Sequence, residues 1–117
     1  MKKQYTYDYP MPAITADVGV ITIDFDGTRR ILLIKRKNEP YKDCWALPGG
    51  FMNIDETLEN CAMRELYEET GLLTRVVHIG VSDKVDRDPR GRVISHIFVA
   101  GAMDSTGFLK AGDKGTA

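Results

Sequence analysis

A chain of 117 residues, 43% of them hydrophobic, has enough material for one domain with a modest core. Its 16 Lys and Arg against 17 Asp and Glu leave a formal net charge of −1, interspersed along the chain. That argues against a nucleic-acid partner and leaves any phosphate-bearing ligand to a local site. No apolar run approaches the ~20 residues that span a bilayer, so no membrane partner is expected.

The N-terminal Met1-Lys2-Lys3 is basic but is followed by no apolar stretch of the export type. Cys44 and Cys61 stand at no metal-binding spacing and read as two free, buried or half-buried thiols in a reducing cytoplasm. In chain order, residues 1–13, with Pro10 and Pro12, form an extended lead-in. Val18, Val20, Ile21 and Ile23 predict a strand from Ile14 to Asp24, and Asp26-Gly27 a hairpin turn. Ile31-Leu32-Leu33-Ile34 predicts a strand buried on both faces. Lys35 to Cys44 reads as a loop, and Trp45-Ala46-Leu47 as a short strand stopped by Pro48-Gly49-Gly50. A helix is expected over 56–70, with Asp55 as N-cap, Glu56 and Glu59 in the first turn and Gly71 just past its end. Thr74 to Val81 and Val93 to Ala100 predict two further strands around the charged turn Asp86 to Arg92.

The helix carries acids where core is expected. At about 100° per residue, Leu58, Cys61, Ala62 and Leu66 define an apolar stripe, with Glu65 and Glu69 each about 20° from Leu58 and Glu68 at the edge, about 80° away. Arg64 lies about 120° off, pointing elsewhere on the wheel. Buried carboxylates must be protonated, paired or bound to a cation. Three of them crowded at i, i+3 and i+4 suit a hard divalent ion such as Mg²⁺, which takes oxygen ligands and keeps room for substrate phosphates.

Gly50, five residues, Glu56, seven residues, then Arg64-Glu65-Leu66-Tyr67-Glu68-Glu69-Thr70-Gly71-Leu72 resembles the Nudix box, G-x₅-E-x₇-R-E-U-x-E-E-x-G-U with U apolar, without a departure. The upstream Trp45-Ala46-Leu47-Pro48-Gly49-Gly50-Phe51 is similar to the family's lead-in. The resemblance covers residues 14–100, the domain proper, and covers the tail 101–117 poorly. It implies an α/β (α+β) fold, an α/β/α sandwich around a mixed sheet, here without a C-terminal helix. It also implies a pyrophosphohydrolase that uses Mg²⁺, with Mn²⁺ as substitute. Glu65, Glu68 and Glu69 would be catalytic and metal-binding, the Gly49 carbonyl a further ligand, and Arg64 with Glu56 an orienting pair. The general base would be a box glutamate or an acid of a later loop, where Asp104 and Asp113 are the acids on offer.

Arg36, within Lys35-Arg36-Lys37, is the expected phosphate contact because a planar guanidinium matches phosphate oxygens. The segment Arg87-Asp88-Pro89-Arg90-Gly91-Arg92 is similar to one in Nudix proteins that act on or sense ADP-ribose, which implies Arg87 and Arg90 as substrate-binding residues. The expected activity is therefore cleavage of ADP-ribose to AMP and ribose 5-phosphate. The alternatives are a nucleoside-triphosphate pyrophosphohydrolase and a non-catalytic sensing domain of a regulator; the intact box and the absence of a helix-turn-helix signal speak against the latter. Trp45 and Phe51 are read as core in preference to base-stacking residues, and His78 and His96 as strand residues without a role. One helix cannot cover both faces of a sheet. The other face is expected either to pair in a homodimer, with Tyr5-Thr6-Tyr7-Asp8-Tyr9 as a candidate contact, or to belong to a longer domain.

Overall fold

The computed structural model describes residues 4–39 and 41–102. Strand β1 (Ala13–Ile23) is the axis of the main sheet. The turn that ends it is built as the Asp26-Gly27 pair predicts: Gly27 has φ 86°, its N–H donates to the Asp24 carbonyl, and the Asp26 carboxylate accepts from Thr28 N–H. The returning strand β2 (Arg29–Ile31) pairs antiparallel with the far end of β1. The apolar run Ile31–Ile34 does not continue as one strand buried on both faces. It breaks at Leu32-Leu33, with Ile31 exposed and Leu32 turned into the core, and restarts as β3 (Ile34–Lys35).

Lys35 to Cys44 is likewise more than a loop. β3 pairs with β4 (Trp45–Ala46), and Arg36 N–H donates to the Cys44 carbonyl to extend that separate two-stranded hairpin. The short strand does end ahead of Pro48, as expected, but the two glycines then open another. Gly49–Phe51 is itself strand β5, antiparallel to β1 with Asp17 opposite Gly49 and Ala16 opposite Gly50. A Cβ on Gly49 would strike the backbone of Ala16 and Asp17, so no side chain fits there, and one on Gly50 would displace the Glu65 carboxylate.

Helix α1 (Leu58–Thr70) starts later than expected. Its N-cap is Thr57, whose hydroxyl accepts from Asn60 N–H, not Asp55. Glu56 stays outside the helix because its carboxylate is already held by Asn53 N–H and Arg64. Glu59 does sit in the first turn, and Gly71 ends the helix in the left-handed region. Strand β6 (Val77–Ser82) follows, and β7 (Val93–Ala102) inserts between it and β1, parallel to β1 and antiparallel to β6. The sheet is therefore mixed, as expected.

Alternation along β1 and β7 assigns the two faces. Ala16, Val18, Val20, Phe98 and Ala100 pack on Cys61, Ala62 and Leu66 of α1, and Leu32, Leu72 and Val76 complete the core. The opposite face carries no helix among the described residues, and Ile21, Ile31 and Val77 there are 42%, 54% and 62% exposed. No helix of the described residues is long and apolar enough to cross a membrane. Asp104 and Asp113, and the tail in which they were considered, lie outside the described residues.

Candidate active site

Two adjoining cavities meet at β5. The smaller, about 290 Å³, is lined by Lys35, Arg36, Lys37, Gly49, Glu65, Glu68 and Glu69, so the basic strand end faces the acids of α1 across it. The larger, about 550 Å³, shares Ile34, Arg36, Gly49 and Glu69 with the smaller and runs over the helix-free face of the sheet. Asp17, Trp45, Phe51, Arg87, Arg90 and Ser95 line it.

Glu65, Glu68 and Glu69 all border one cavity, but each has a partner within the protein. Glu65 lies under Gly50 and accepts from Arg64 Nη1 at 2.6 Å; Glu68 accepts from the same nitrogen at 3.1 Å. Glu69 Oε1 accepts from Gly49 N–H at 2.9 Å. The expectation that Arg64 points elsewhere is thus wrong. Its long side chain swings back along the helix to the i+4 carboxylate and its neighbour, while Nε and Nη2 form a fork on Glu56 at 3.0 and 2.7 Å. The expected Glu56–Arg64 pair is present, and Arg64 also donates to the Phe51 carbonyl, tying α1 to β5.

These arrangements set the charges. The hydrogen bonds from Arg64 hold the Glu56 carboxyl down at about 2. Burial is the largest influence on Glu65 and pushes its carboxyl up, with Arg64 opposing and Glu68 reinforcing. Burial, then Glu56, pushes the Cys61 thiol up to about 12, which makes it an inert core residue. Cys44, expected to be buried or half-buried, is instead exposed on the β3–β4 hairpin.

Among the described residues no three His, Cys, Asp or Glu side chains close on one point as a finished metal cluster. The donor set nevertheless fits a hard cation. It consists of carboxylate oxygens around one cavity, with Glu65 too buried to be comfortable as an anion and one guanidinium shared among three acids. Glu65, Glu68, Glu69 and the Gly49 carbonyl are the groups that could hold it.

In the larger cleft, Trp45 and Phe51 are 52% and 43% exposed rather than core. Trp45 stands on the small hairpin and Phe51 on the open face of the sheet, where the Arg90 guanidinium lies 4.8 Å from the Phe51 ring. Arg90 is fixed in turn by a two-pronged pair with Asp88, at 2.7 and 3.0 Å, and that pairing holds the Asp88 carboxyl at about 2. Arg87 donates to the Ser95 hydroxyl. The sequence reading missed Asp17, Thr15 and Ser95, which floor this cleft. The available signal was Asp17 itself, the single acid within an apolar strand. Burial pushes its carboxyl up, against hydrogen bonds from Ser95 and Thr15 and the Arg87 charge. His78 and His96 contact each other at 3.0 Å on β6 and β7 and line neither cavity.

The NUDIX domain pattern matches residues 14–115. An ADP-ribose pyrophosphatase of Methanocaldococcus jannaschii is 50% identical over 106 residues, covering 90% of this chain and 59% of that protein. The ADPR responsive transcriptional repressor NtrR of Acinetobacter baylyi is 42% identical over 99 residues, covering 80% of this chain and 38% of that protein. The chain thus spans about three fifths of the first relative's length and under two fifths of the second's. Among solved structures, the NUDIX domain of Shewanella oneidensis NrtR complexed with ADP ribose superposes with a TM-score of 0.80 at 26% identity, over 95% of this chain and 76% of that one. The box, the fold that presents it and these likenesses agree: the chain belongs to the NUDIX domain family.

Proposed function

We propose that the chain hydrolyses the diphosphate bond of a nucleoside diphosphate linked to a second moiety, with ADP-ribose, cleaved by one water to AMP and ribose 5-phosphate, as the substrate. The observation that carries this reading is the cavity in which Lys35, Arg36 and Lys37 face Glu65, Glu68 and Glu69, opening onto a cleft large enough for the rest of a nucleotide. The half-identical ADP-ribose pyrophosphatase supports the choice of substrate.

In this reading Arg36 and its neighbours draw in the diphosphate, and Arg87 and Arg90 line the cleft beyond it. Arg64 and Glu56 fix α1 against β5, so that the carboxylates of Glu65, Glu68 and Glu69 stay in register with the Gly49 carbonyl. Those groups would hold Mg²⁺ or Mn²⁺. When bound, the ion neutralises diphosphate charge and lowers the pKa of a coordinated water. A box glutamate serves as the proton acceptor. A cytoplasmic setting is part of the same reading, supported by the two free thiols.

The test is a chromatographic product screen in Mg²⁺ over ADP-ribose, dinucleotides and nucleoside triphosphates, reading AMP and ribose 5-phosphate, or pyrophosphate, directly. ADP-ribose should lead the triphosphates by at least about tenfold in kcat/KM, a gap of ~1.4 kcal/mol. A win for a triphosphate would move the chain to pyrophosphate-releasing hydrolysis. The likeness to an ADPR responsive repressor favours a second reading, a ligand-sensing domain. Tight ADP-ribose binding with no turnover in any divalent metal would establish it.

A further inference from the structure

Asp17 has no part in the diphosphate chemistry above, yet it is built into the floor of the larger cleft with a defined set of neighbours. Its carboxylate takes hydrogen bonds from Ser95 and from the Thr15 hydroxyl, the latter at 3.4 Å, and those two hydroxyls lie 2.6 Å apart. Arg87 meets the same group through Nη2 on Ser95. The Arg87 Nε is a buried donor with no hydrogen-bond partner. Buried guanidinium N–H groups are rarely left unmet, and an orphan beside a cavity calls for an acceptor from outside the chain. Carboxylate acceptor and unmet donor therefore stand together at one end of the cleft.

Position specifies the ligand group further. Asp17 lies directly opposite Gly49 across the β1–β5 ladder, about 5 Å away at ordinary strand spacing. Gly49 borders both cavities, and no side chain fits between it and Asp17. With a diphosphate at the Gly49 edge, the next group along the molecule is a sugar; a base lies one ring further out, toward Trp45 and Phe51. A base edge that sets an amino donor beside a ring-nitrogen acceptor has the same complementarity, but it lies one ring further from the diphosphate, and Asp17 stands directly opposite Gly49. Two vicinal hydroxyls offer protons to Asp17 and an oxygen to Arg87.

We infer that Asp17, with Thr15, Ser95 and Arg87, forms a subsite for the cis-diol of a ribose attached to the diphosphate. The inference rests on the diphosphate reading, because the diphosphate at Gly49 sets the distance. Two riboses of ADP-ribose carry such a diol, and the test separates them.

The experiment compares ADP-ribose with two analogues, each lacking the 2′-hydroxyl of one of its riboses, on wild type, Asp17→Asn and Arg87→Lys. Wild type should lose about 10- to 30-fold in kcat/KM, mainly through KM, on one of the two analogues. That analogue identifies the ribose. In Asp17→Asn the preference should shrink to under about threefold, as expected when one partner of a specific hydrogen bond is gone. A purely structural Asp17 would slow all three substrates alike and leave the ratio intact, and an intact ratio for both analogues overturns the subsite. Arg87→Lys, which removes the Nε donor, should shrink the same ratio and serves if Asp17→Asn does not fold. Calorimetry of the three ligands in chelator repeats the comparison without turnover. An inactive protein that still prefers the intact diol in an Asp17-dependent way would overturn the hydrolase reading and keep the subsite. Equal binding, or no binding, overturns the subsite whatever the activity.

Discussion

The two faces of the five-stranded sheet are made from the same strands and meet different fates. On one, Ala16, Val18 and Val20 are wholly buried under Cys61, Ala62 and Leu66 of α1; on the other, Ile21, Ile31 and Val77 meet solvent. Apolar side chains stabilise a fold only when something covers them. The polar machinery gathers where the two faces meet, at β5. Gly50 looks toward Glu65 on the helix side and Gly49 toward Asp17 on the open side. A helix over both faces at this edge would close the larger cleft, so the difference between the faces is also what makes room for a ligand.

Substitutions can separate what α1 does for the covered face from what it does at the edge. The largest effect should come from Glu69→Gln, which removes a charge but keeps the oxygen that accepts from Gly49 N–H. Turnover of ADP-ribose should fall by at least about 100-fold, with the melting transition displaced by no more than about 1 kcal/mol. Undiminished Mg²⁺ affinity by calorimetry in that variant would remove Glu69 from the ligand set. Next, Leu66→Ala in the covered face should cost about 2–5 kcal/mol in urea unfolding, because a fully buried Leu leaves a cavity.

Acid supplies the third test. The Glu56 carboxyl is lowered in the folded chain from 4.5 to about 2. A depressed carboxyl adds stability that is complete above the unfolded value and drains away as pH falls through the folded one. Stability should therefore decline between about pH 4.5 and 2. Part of that decline, about 1–2 kcal/mol after solvent screening, should vanish in Glu56→Gln. An unchanged acid profile in that variant would show that Arg64 gains nothing from the pair. The smallest effect should be Ile31→Ala on the bare face, within about 0.5 kcal/mol of wild type. If it costs as much as Leu66→Ala and light scattering reports two chains, that face is covered by a second copy in solution.

Much of the site was legible because the spacing of the box is itself geometry. Glu56 and Arg64 meet, Gly71 closes the helix, and the acids of α1 and the basic end of β3 share a cavity. The misses have local causes. Asp55 and Thr57 are both good caps, and the choice fell to Thr57 once Arg64 and Asn53 had claimed Glu56 between them. An apolar run such as Ile31–Ile34 does not reveal which of its residues pair, and here the chain leaves one strand and joins another in the middle. Trp45 and Phe51 looked like core because hydrophobicity carries no information about which face receives a helix. Asp17 was passed over because one carboxylate in a strand becomes meaningful only beside Ser95, 78 residues on, and Arg87.

The reach of Arg64 has a consequence for the life of the chain. Its guanidinium touches Glu56, Glu65 and Glu68 together, so the helix has an internal counter-ion for its crowded acids. In small zinc domains the metal is a condition of folding, and chelators unfold them. Here the counter-ion is covalently part of the helix. Under the proposed metal assignment, synthesis and folding run to completion before any cation is captured, and loading is an exchange of partners at a finished surface. Stripping divalent ions should silence such a protein reversibly, leaving a folded chain ready to be loaded again.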